Sequence, residues 1–460
     1  MTADQTRPAA AESEKSWLDR SLSLLGDVRA GEATGALMLA VNVFAVLAFY
    51  YILKTVRESL ILSEGGAEVK SYAAAGQALM LLGFVPAYGA LASRVNRVVL
   101  ITAVTLFFAS HLVIFYLLGV SGVQIGIAFF LWMGVFAVVM PAQAWAFAND
   151  IYDAERGKRL FPIVGVGSAL GAWAGAALAS ALFARLGPYP LLLLSAAGLL
   201  TTIFLTHLID RRTRQARAAT ARSTAAEPPL GKAGGFQLVF SQRYLLLIAL
   251  MVLVINIVNT VGEFILGRMV TADAAATIAS GAAAGQTEAT LIGEFYGGFF
   301  AWVNFLGFAL QLVVVSRLFK YIGVRGTLFI LPMVAAFTYG TASLAPLLGI
   351  FSLVKILENS TDYSINNTAK QTLFLPTSRE AKYKAKQAID SFFWRAGDLL
   401  QAVVVFIGVR LAFDVRGFAA INLVFVVIWI AICFGIAREH RKLTSEESSG
   451  VPGKAAAVPA

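Results

Sequence analysis

Cysteine is almost absent from this chain of 460 residues: Cys433 stands alone, so neither a disulfide framework nor a thiolate metal site can be assembled. Histidine is nearly as scarce, and His111, His207 and His440 are too scattered along the sequence to suggest a metal cluster. Charged residues make up 14%, against about a quarter in ordinary globular domains, which argues against a water-soluble fold. No glycine-rich Walker loop occurs, so hydrolysis of a nucleotide by a P-loop is excluded. Ahead of Gly35 there is no apolar signal-peptide core, and the N-terminus is expected to stay uncleaved in the cytoplasm. No cofactor is implied.

What the chain has is apolar length. Hydrophobic residues reach 58%, and twelve apolar stretches follow one another between Leu37 and Ala437. A crossing needs about 20 mostly apolar residues to span about 30 Å of hydrocarbon, and soluble proteins do not repeat that pattern a dozen times. The expected spans are 35–58, 72–92, 98–118, 124–149, 160–183 and 189–209, then 243–267, 290–316, 324–344, 347–372, 386–412 and 417–437. The fold class is therefore an all-α membrane protein of twelve transmembrane helices. Residues 1–34 form an N-terminal segment, 35–209 one six-helix half, 210–242 a basic linker, 243–437 a second six-helix half and 438–460 a tail. The linker has no apolar period; it runs through five arginines to Pro228, Pro229 and Gly231.

A net charge of +10 could in another chain point to nucleic acid, but here the bases sit in alternate gaps between spans. Arg94 and Arg97; Arg156, Lys158 and Arg159; the linker arginines; Arg317, Lys320 and Arg325; and Arg379, Lys382, Lys384 and Lys386 all fall on one side, while the opposite gaps hold isolated bases such as Lys70, Arg185 and Arg416. This is positive-inside sorting, and it predicts a bacterial inner-membrane protein with both termini cytoplasmic, the lipid bilayer as its surroundings and no nucleic-acid partner. A faint repeat supports two related halves: Lys158 and Gly171 match Lys384 and Gly397 at equal spacing. Twelve helices, a long central linker and the stretch from Gly89 to Arg97 resemble the major facilitator superfamily and the loop signature between its second and third helices.

Function should reside where charge interrupts the spans, since a charge at the centre of a helix costs about 2.5–3.5 kcal/mol on insertion scales and usually faces a wet cavity or a partner. In the first span Lys54, Arg57 and Glu58 share a helical face, as a lumen-facing cluster or as a helix end snorkelling to the interface. The fourth span ends in Asn149 and Asp150, which could guide an anion or close a helix-end ion pair. Glu263 in the seventh span lies on a stripe with Asn256 and Asn259. The tenth span carries Lys355, Glu358 and Asp362, with Asn366 and Lys370 continuing the ladder, and Arg395 with Asp398 in span eleven could be its neighbour. Such a network could equally fix helix packing. If residues 382–390 are helical, Lys382, Lys386 and Asp390 stack on one face and Lys384 points away. Gly165, Gly167, Gly171 and Gly175 read as helix packing, and Pro86, Pro141, Pro162 and Pro332 as kinks.

These same residues resemble the ATP/ADP translocases of plastids and intracellular bacteria. Lys54-Thr55-Val56-Arg57-Glu58 is similar to that family's first-helix run, Phe147-Ala148-Asn149-Asp150 with Lys158-Arg159 to its fourth, and Glu263 to its seventh-helix glutamate. Ile292-Gly293-Glu294-Phe295 looks like the motif opening its eighth helix, and the segment Lys382 to Asp390 looks like its K-x-K-x-K-x-A-I-D motif, with Lys370 and Pro376 upstream. Gln371 and Gly267 depart from the family pattern. The resemblance implies a non-enzymatic exchanger whose partner is a small phosphorylated anion, an adenine nucleotide. It implies substrate contacts at Lys54, Arg57, Asn149, Asp150, Glu263, Lys370, Lys382 and Lys386. The remaining in-span charges, Glu58, Lys355, Glu358, Asp362, Asp390, Arg395 and Asp398, are candidates for gating or ion pairing. A proton-coupled facilitator of another anionic metabolite, with Glu263, Glu358 or Asp362 titrating, stays open beside it, as does a membrane-embedded enzyme or sensor.

The charge asymmetry makes a topological prediction. In a Cys433→Ala background, a single cysteine near Arg212 should escape an impermeant thiol reagent added from outside, and one near Ser280 should react. The reverse labelling pattern contradicts the assignment.

Overall fold

The structure, a computed structural model, describes residues 15–217 and 234–448 except Leu24, Gly26, Ser93 and Asp153. Among these, every regular element is a helix. After the short α1 (Trp17–Leu22), α2 runs from Ala33 to Ala92, and its single non-helical residue is Gly66, at φ 71° and ψ −177°. That conformation is open to glycine and costly to any residue with a Cβ, so the chain reverses there in one step. The two arms of α2 are the first two expected spans, and the polar residues expected to form a loop between them are helical almost throughout. Glu64 at the end of the first arm accepts the backbone N–H of Gly126 at 2.7 Å, occupying an orphan donor at the start of α4, whose own Ile125 offers no cap.

The first half continues with α3 (Arg97–Val120), α4 (Gly126–Ile151), α5 (Ala154–Leu186) and α6 (Pro188–Arg217). The second comprises α7 (Gly235–Ser241), α8 (Arg243–Ala279), α9 (Glu288–Val313), α10 (Val315–Tyr321), α11 (Gly323–Thr327) and α12 (Ile330–Leu344). It then runs through α13 (Leu348–Thr361), α14 (Asn367–Leu373), α15 (Lys386–Ala388), α16 (Trp394–Arg410) and α17 (Val415–Ser448). Ten helices are long and apolar enough to cross a membrane. Counting each arm of α2, the α11–α12 pair and the composite α13–α14 as one crossing each gives twelve among the described residues. The expected linker is partly helical, since α6 overruns it to Arg217 and α7 occupies its last residues; Arg222, Pro228, Pro229 and Gly231 lie outside the described residues.

Prolines behave differently by position. Pro86, Pro141 and Pro162 sit inside α2, α4 and α5, whereas Pro332 falls just after the break between α11 and α12. Pro332 has no N–H for the Leu328 carbonyl four residues back, and the buried thiol of Cys433 donates to that oxygen instead, at 3.6 Å.

Glycines set how the helices meet. A Cβ on Gly167, Gly171 or Gly175 would lie 2.6, 2.3 and 2.2 Å from the carbonyl oxygens of Ala40, Phe44 and Ala48, so α5 presses its backbone against the first arm of α2. In the second half a Cβ on Gly397 of α16 would lie 2.8 Å from Asn256 and 3.1 Å from the Leu253 carbonyl oxygen of α8 in the corresponding place, so the Gly171–Gly397 match in sequence is also a match in packing. The halves then join through α5 and α9, where Gly297 rests on the backbone of Ser180 and Gly293 on the Phe183 ring. Of the hydrogen bonds across the join, Ser59 Oγ to the Ala289 carbonyl at 2.5 Å and Ser180 Oγ to the Glu294 carbonyl at 3.1 Å lie toward the end away from the basic loops, and Gln401 Nε2 to Ser71 Oγ at 3.0 Å and Asn304 Nδ2 to the Ala172 carbonyl at 3.4 Å lie nearer mid-helix.

This packing predicts a contrast between two glycines of one helix. Gly175→Val should destabilise the protein by about 1–3 kcal/mol through overpacking, visible as a lower unfolding midpoint in detergent. Gly165→Ala, with nothing within 4 Å of its Cβ, should be neutral or raise the midpoint. Equal effects would mean that the α2–α5 contact is looser than described.

Candidate functional site

Between the halves, a cavity of about 290 Å³ is walled by both arms of α2, by α8, α9 and α16, by Phe130 of α4, and by Tyr363 in the π-helical turn Asp362–Asn366 that joins α13 to α14. The expected stripe of α8 faces it in full: Asn256, Asn259 and Glu263 all line the wall. Lys54, Arg57, Glu58, Arg395 and Asp398 join them.

The ionic pairing inside differs from what helical spacing suggests. Glu58, with 1% of its side chain exposed, is gripped by its neighbour Arg57, whose Nε lies at 3.1 Å, and by Lys70 on the second arm, whose Nζ lies at 2.6 Å. Lys70 also reaches toward Glu263 at 3.9 Å and so ties α2 to α8 across the halves. Glu263 accepts from Asn359 Nδ2 at 3.1 Å. On α16, Asp398 accepts from Asn256 Nδ2 at 2.7 Å and from Arg395 at 3.4 Å.

Lys54 is left over. Among the described residues no carboxylate lies within ion-pair distance of it, and its ammonium is held by aromatic faces: 4.1 Å from the Phe300 ring centre, 5.2 Å from Tyr51 and 6.0 Å from Tyr363. A cation–π contact stabilises a desolvated ammonium by about 2 kcal/mol and leaves its N–H groups able to take an anion. Lys54, Arg57, Lys70 and Arg395 face Glu58, Glu263 and Asp398, so the cavity carries one net positive charge, localised at Lys54.

The other expected site residues lie elsewhere. Lys355 and Glu358 form a buried pair behind the wall at 2.9 Å; Lys355 donates to Asn259 Oδ1 at 3.0 Å, and the Tyr339 hydroxyl donates to Glu358 at 3.0 Å. Arg395 and Asp398 are not their partners, because α8 stands between, with Asn259 turned to one pair and Asn256 to the other. The charge ladder stops at the π-helical turn, whose wider coil shifts the face: Asp362 accepts from Asn366 at 2.6 Å, and Lys370 sits 5.1 Å from the centre of the Trp394 indole, which lines the cavity. Lys382 is exposed, and Lys386 pairs with Asp390 at 3.2 Å outside the cavity. Two further π-helical turns, Ala381–Ala385 and Ile389–Phe393, break the α-helical phase assumed for this segment. Asn149 and Asp150 are exposed at the basic end of α4, where Asp150 lies 3.4 Å from Arg97 beside a separate pocket.

Sequence reasoning missed Lys70, read as a loop base. The signal was present: Lys70, Ser71, Ala74 and Gln77 line the cavity at helical spacing, which marks a polar face continuing past Gly66. The aromatic set that holds Lys54 was missed because its members come from three distant segments.

Known proteins agree with this architecture. Residues 309–440 match the family described as TLC ATP/ADP transporter. No curated protein matches the chain in sequence. A bacterial homologue of the iron transporter ferroportin, in its inward-facing state, superposes with a TM-score of 0.61 at 13% identity, covering 88% of this chain and 98% of that one. The nucleoside transporter NupG gives 0.58 at 13% identity over 89% and 99%, and a bacterial homologue of the human lysosomal transporter Spinster 0.56 at 14% over 90% and 98%. At these identities the likeness is one of fold, that of major facilitator transporters.

The buried pair behind the wall yields a prediction about stability. Lys355→Met alone should cost about 3–5 kcal/mol by stranding Glu358, and Lys355→Met with Glu358→Leu should recover most of that loss. Thermal unfolding in detergent measures both; a double variant no more stable than the single one would show that the pair is not the coupled unit described.

Proposed function

We propose that this chain, a multi-pass transporter of the major facilitator fold, exchanges adenine nucleotides or closely related phosphorylated anions by alternating access and performs no chemical conversion on them. The observation that carries the reading is Lys54: an ammonium with no carboxylate partner among the described residues, facing a cavity between the two halves. A phosphate oxygen offers that ammonium a charge-assisted hydrogen bond, and Arg57 beside it can add a second. Phe300, Tyr50 and Tyr363 line the same space and present rings on which a base can stack. The match of residues 309–440 to an ATP/ADP transporter family favours a nucleotide over other anions.

The Ser59 and Ser180 contacts across the halves lie away from the basic loops, so the cavity opens toward the basic end. By the positive-inside rule that end is the cytoplasm. Lys370, beside the cavity-lining Trp394, then lies on the entry side, with Lys382, Lys386 and the Asn149–Asp150 pair at the rim. Drawing the rims together while the far contacts part would expose the same site to the other face of the membrane.

Lys54→Gln tests this directly. Exchange of labelled ADP in proteoliposomes should fall about 10- to 100-fold, the equivalent of one charge-assisted hydrogen bond, while the unfolding midpoint stays near that of the parent protein. Undiminished exchange in Lys54→Gln would remove Lys54 from the substrate path.

A further inference from the structure

We propose that nucleotide binding draws one proton onto Glu263, so that anion and proton load together. The inference rests on the nucleotide reading above and begins from the charge inventory. A cavity of net charge +1 receives a ligand bearing about three negative charges as ADP or four as ATP. Uncompensated charge in a low-dielectric site is costly, so the complex is favoured if the wall gives up negative charge of its own. Three carboxylates are available to do so, and their surroundings differ.

Glu58 is enclosed and held by two cations, Arg57 and Lys70. Asp398 has 10% of its side chain exposed and takes donors from Asn256 and Arg395. Glu263 has 20% of its side chain exposed; Asn359 donates to its Oε1, and its Oε2 has Lys70 at 3.9 Å, an ammonium already committed to Glu58. It is the carboxylate with the weakest compensation. Around it stand Tyr50, Lys54, Arg57 and Glu58 on the first arm of α2, Lys70 on the second, Tyr296 on α9, Tyr339 on α12, and Glu358 on α13 with Lys355 as its partner; Tyr363 in the π-helical turn and the Arg395–Asp398 pair on α16 complete the charged and titratable set among the described residues.

A phosphate that engages Lys54 and Arg57 brings negative charge toward Glu263 and competes for Lys70. An acid in the surrounding solution then transfers a proton to Oε2, forming one O–H bond that can donate to a phosphate oxygen, while Oε1 keeps the Asn359 amide. No electron moves, and the proton leaves again with the anion. Linkage requires the reverse: over the pH interval in which Glu263 is ionised in the empty site and protonated in the occupied one, affinity falls as pH rises, by up to about tenfold per unit for one proton.

Isothermal titration of the purified full-length protein with ADP, in chelator and in two buffers of different ionisation enthalpy at the same pH, counts the protons taken up. The expected result is a net uptake approaching one per ADP in the wild type. In Glu263→Gln uptake should be absent, and above about pH 7.5, where the terminal phosphate of ADP is itself ionised, the ADP affinity should no longer change with pH. Binding of ADP with no proton uptake at any point between about pH 6 and 8, or uptake that persists in Glu263→Gln, overturns the proposal. The wild-type count stands by itself should Glu263→Gln fail to fold, and Glu263→Asp should then restore uptake. Failure of the folded protein to bind any nucleotide would instead overturn the functional reading, and this inference with it.

Discussion

Charge inside a membrane has to be compensated where it sits, and at this protein's cavity nearly all of it is. Glu58 neutralises one of the two bases that grip it, Asp398 has Arg395, and Glu358 has Lys355. Among the described charges that line the cavity the exception is Lys54, which aromatic rings hold in place without cancelling its charge. Water-filled space and an anionic occupant can complete that compensation, and the cavity supplies the space. Most other features of the site depend on this imbalance. The paired carboxylates neutralise the remaining bases, so the uncancelled charge sits at Lys54, and the rings limit where its ammonium can point.

The helix packing serves the same end. Backbone-to-backbone approach of α5 on α2 and of α16 on α8 is set by glycines, and the apolar core of the second half continues across the join onto Tyr51, Ile61, Leu62 and Ala176 of the first. Between the halves, apolar packing such as Tyr51 on Phe300 is joined by polar contacts: the Ser59 and Ser180 hydroxyls on carbonyls, the Gln401 amide on the Ser71 hydroxyl, and Lys70 toward Glu263. Contacts of that sort can be exchanged for others at modest cost, which is what an alternating-access carrier requires of its central seam.

Much of the architecture was legible in the sequence because hydrophobic length and the sorting of bases are nearly context-free signals in a membrane protein. The in-span charges were legible for the same reason: Lys54, Arg57, Glu58 and Glu263 interrupt apolar runs, and the structure gathers them at one cavity. Their pairing was not legible, since Lys54 and Glu58 stand four residues apart and yet Glu58 is held by Arg57 and Lys70. Lys70 itself was hidden by a polar stretch that resembles a loop until Gly66 is seen to make the whole turn. Downstream, three π-helical turns between Asp362 and Phe393 rotate the faces on which Lys370 and Lys386 were expected to align. Such turns leave no clear mark in composition or period. The family resemblance pointed to Asp150 and Lys382 through motif spacing, and the structure puts both at the basic end, away from the cavity wall.

The central claim is that an uncompensated ammonium in the cavity selects for phosphorylated ligands. Competition measures it most directly, with wild-type proteoliposomes preloaded with ADP, labelled ATP outside, and either ADP or adenosine added as competitor. ADP should inhibit uptake at concentrations at least about 100-fold lower than adenosine, the equivalent of roughly 2.7 kcal/mol supplied by the phosphates. Equal potency of the two competitors would contradict the account, because the site would then be reading the base and not the charge.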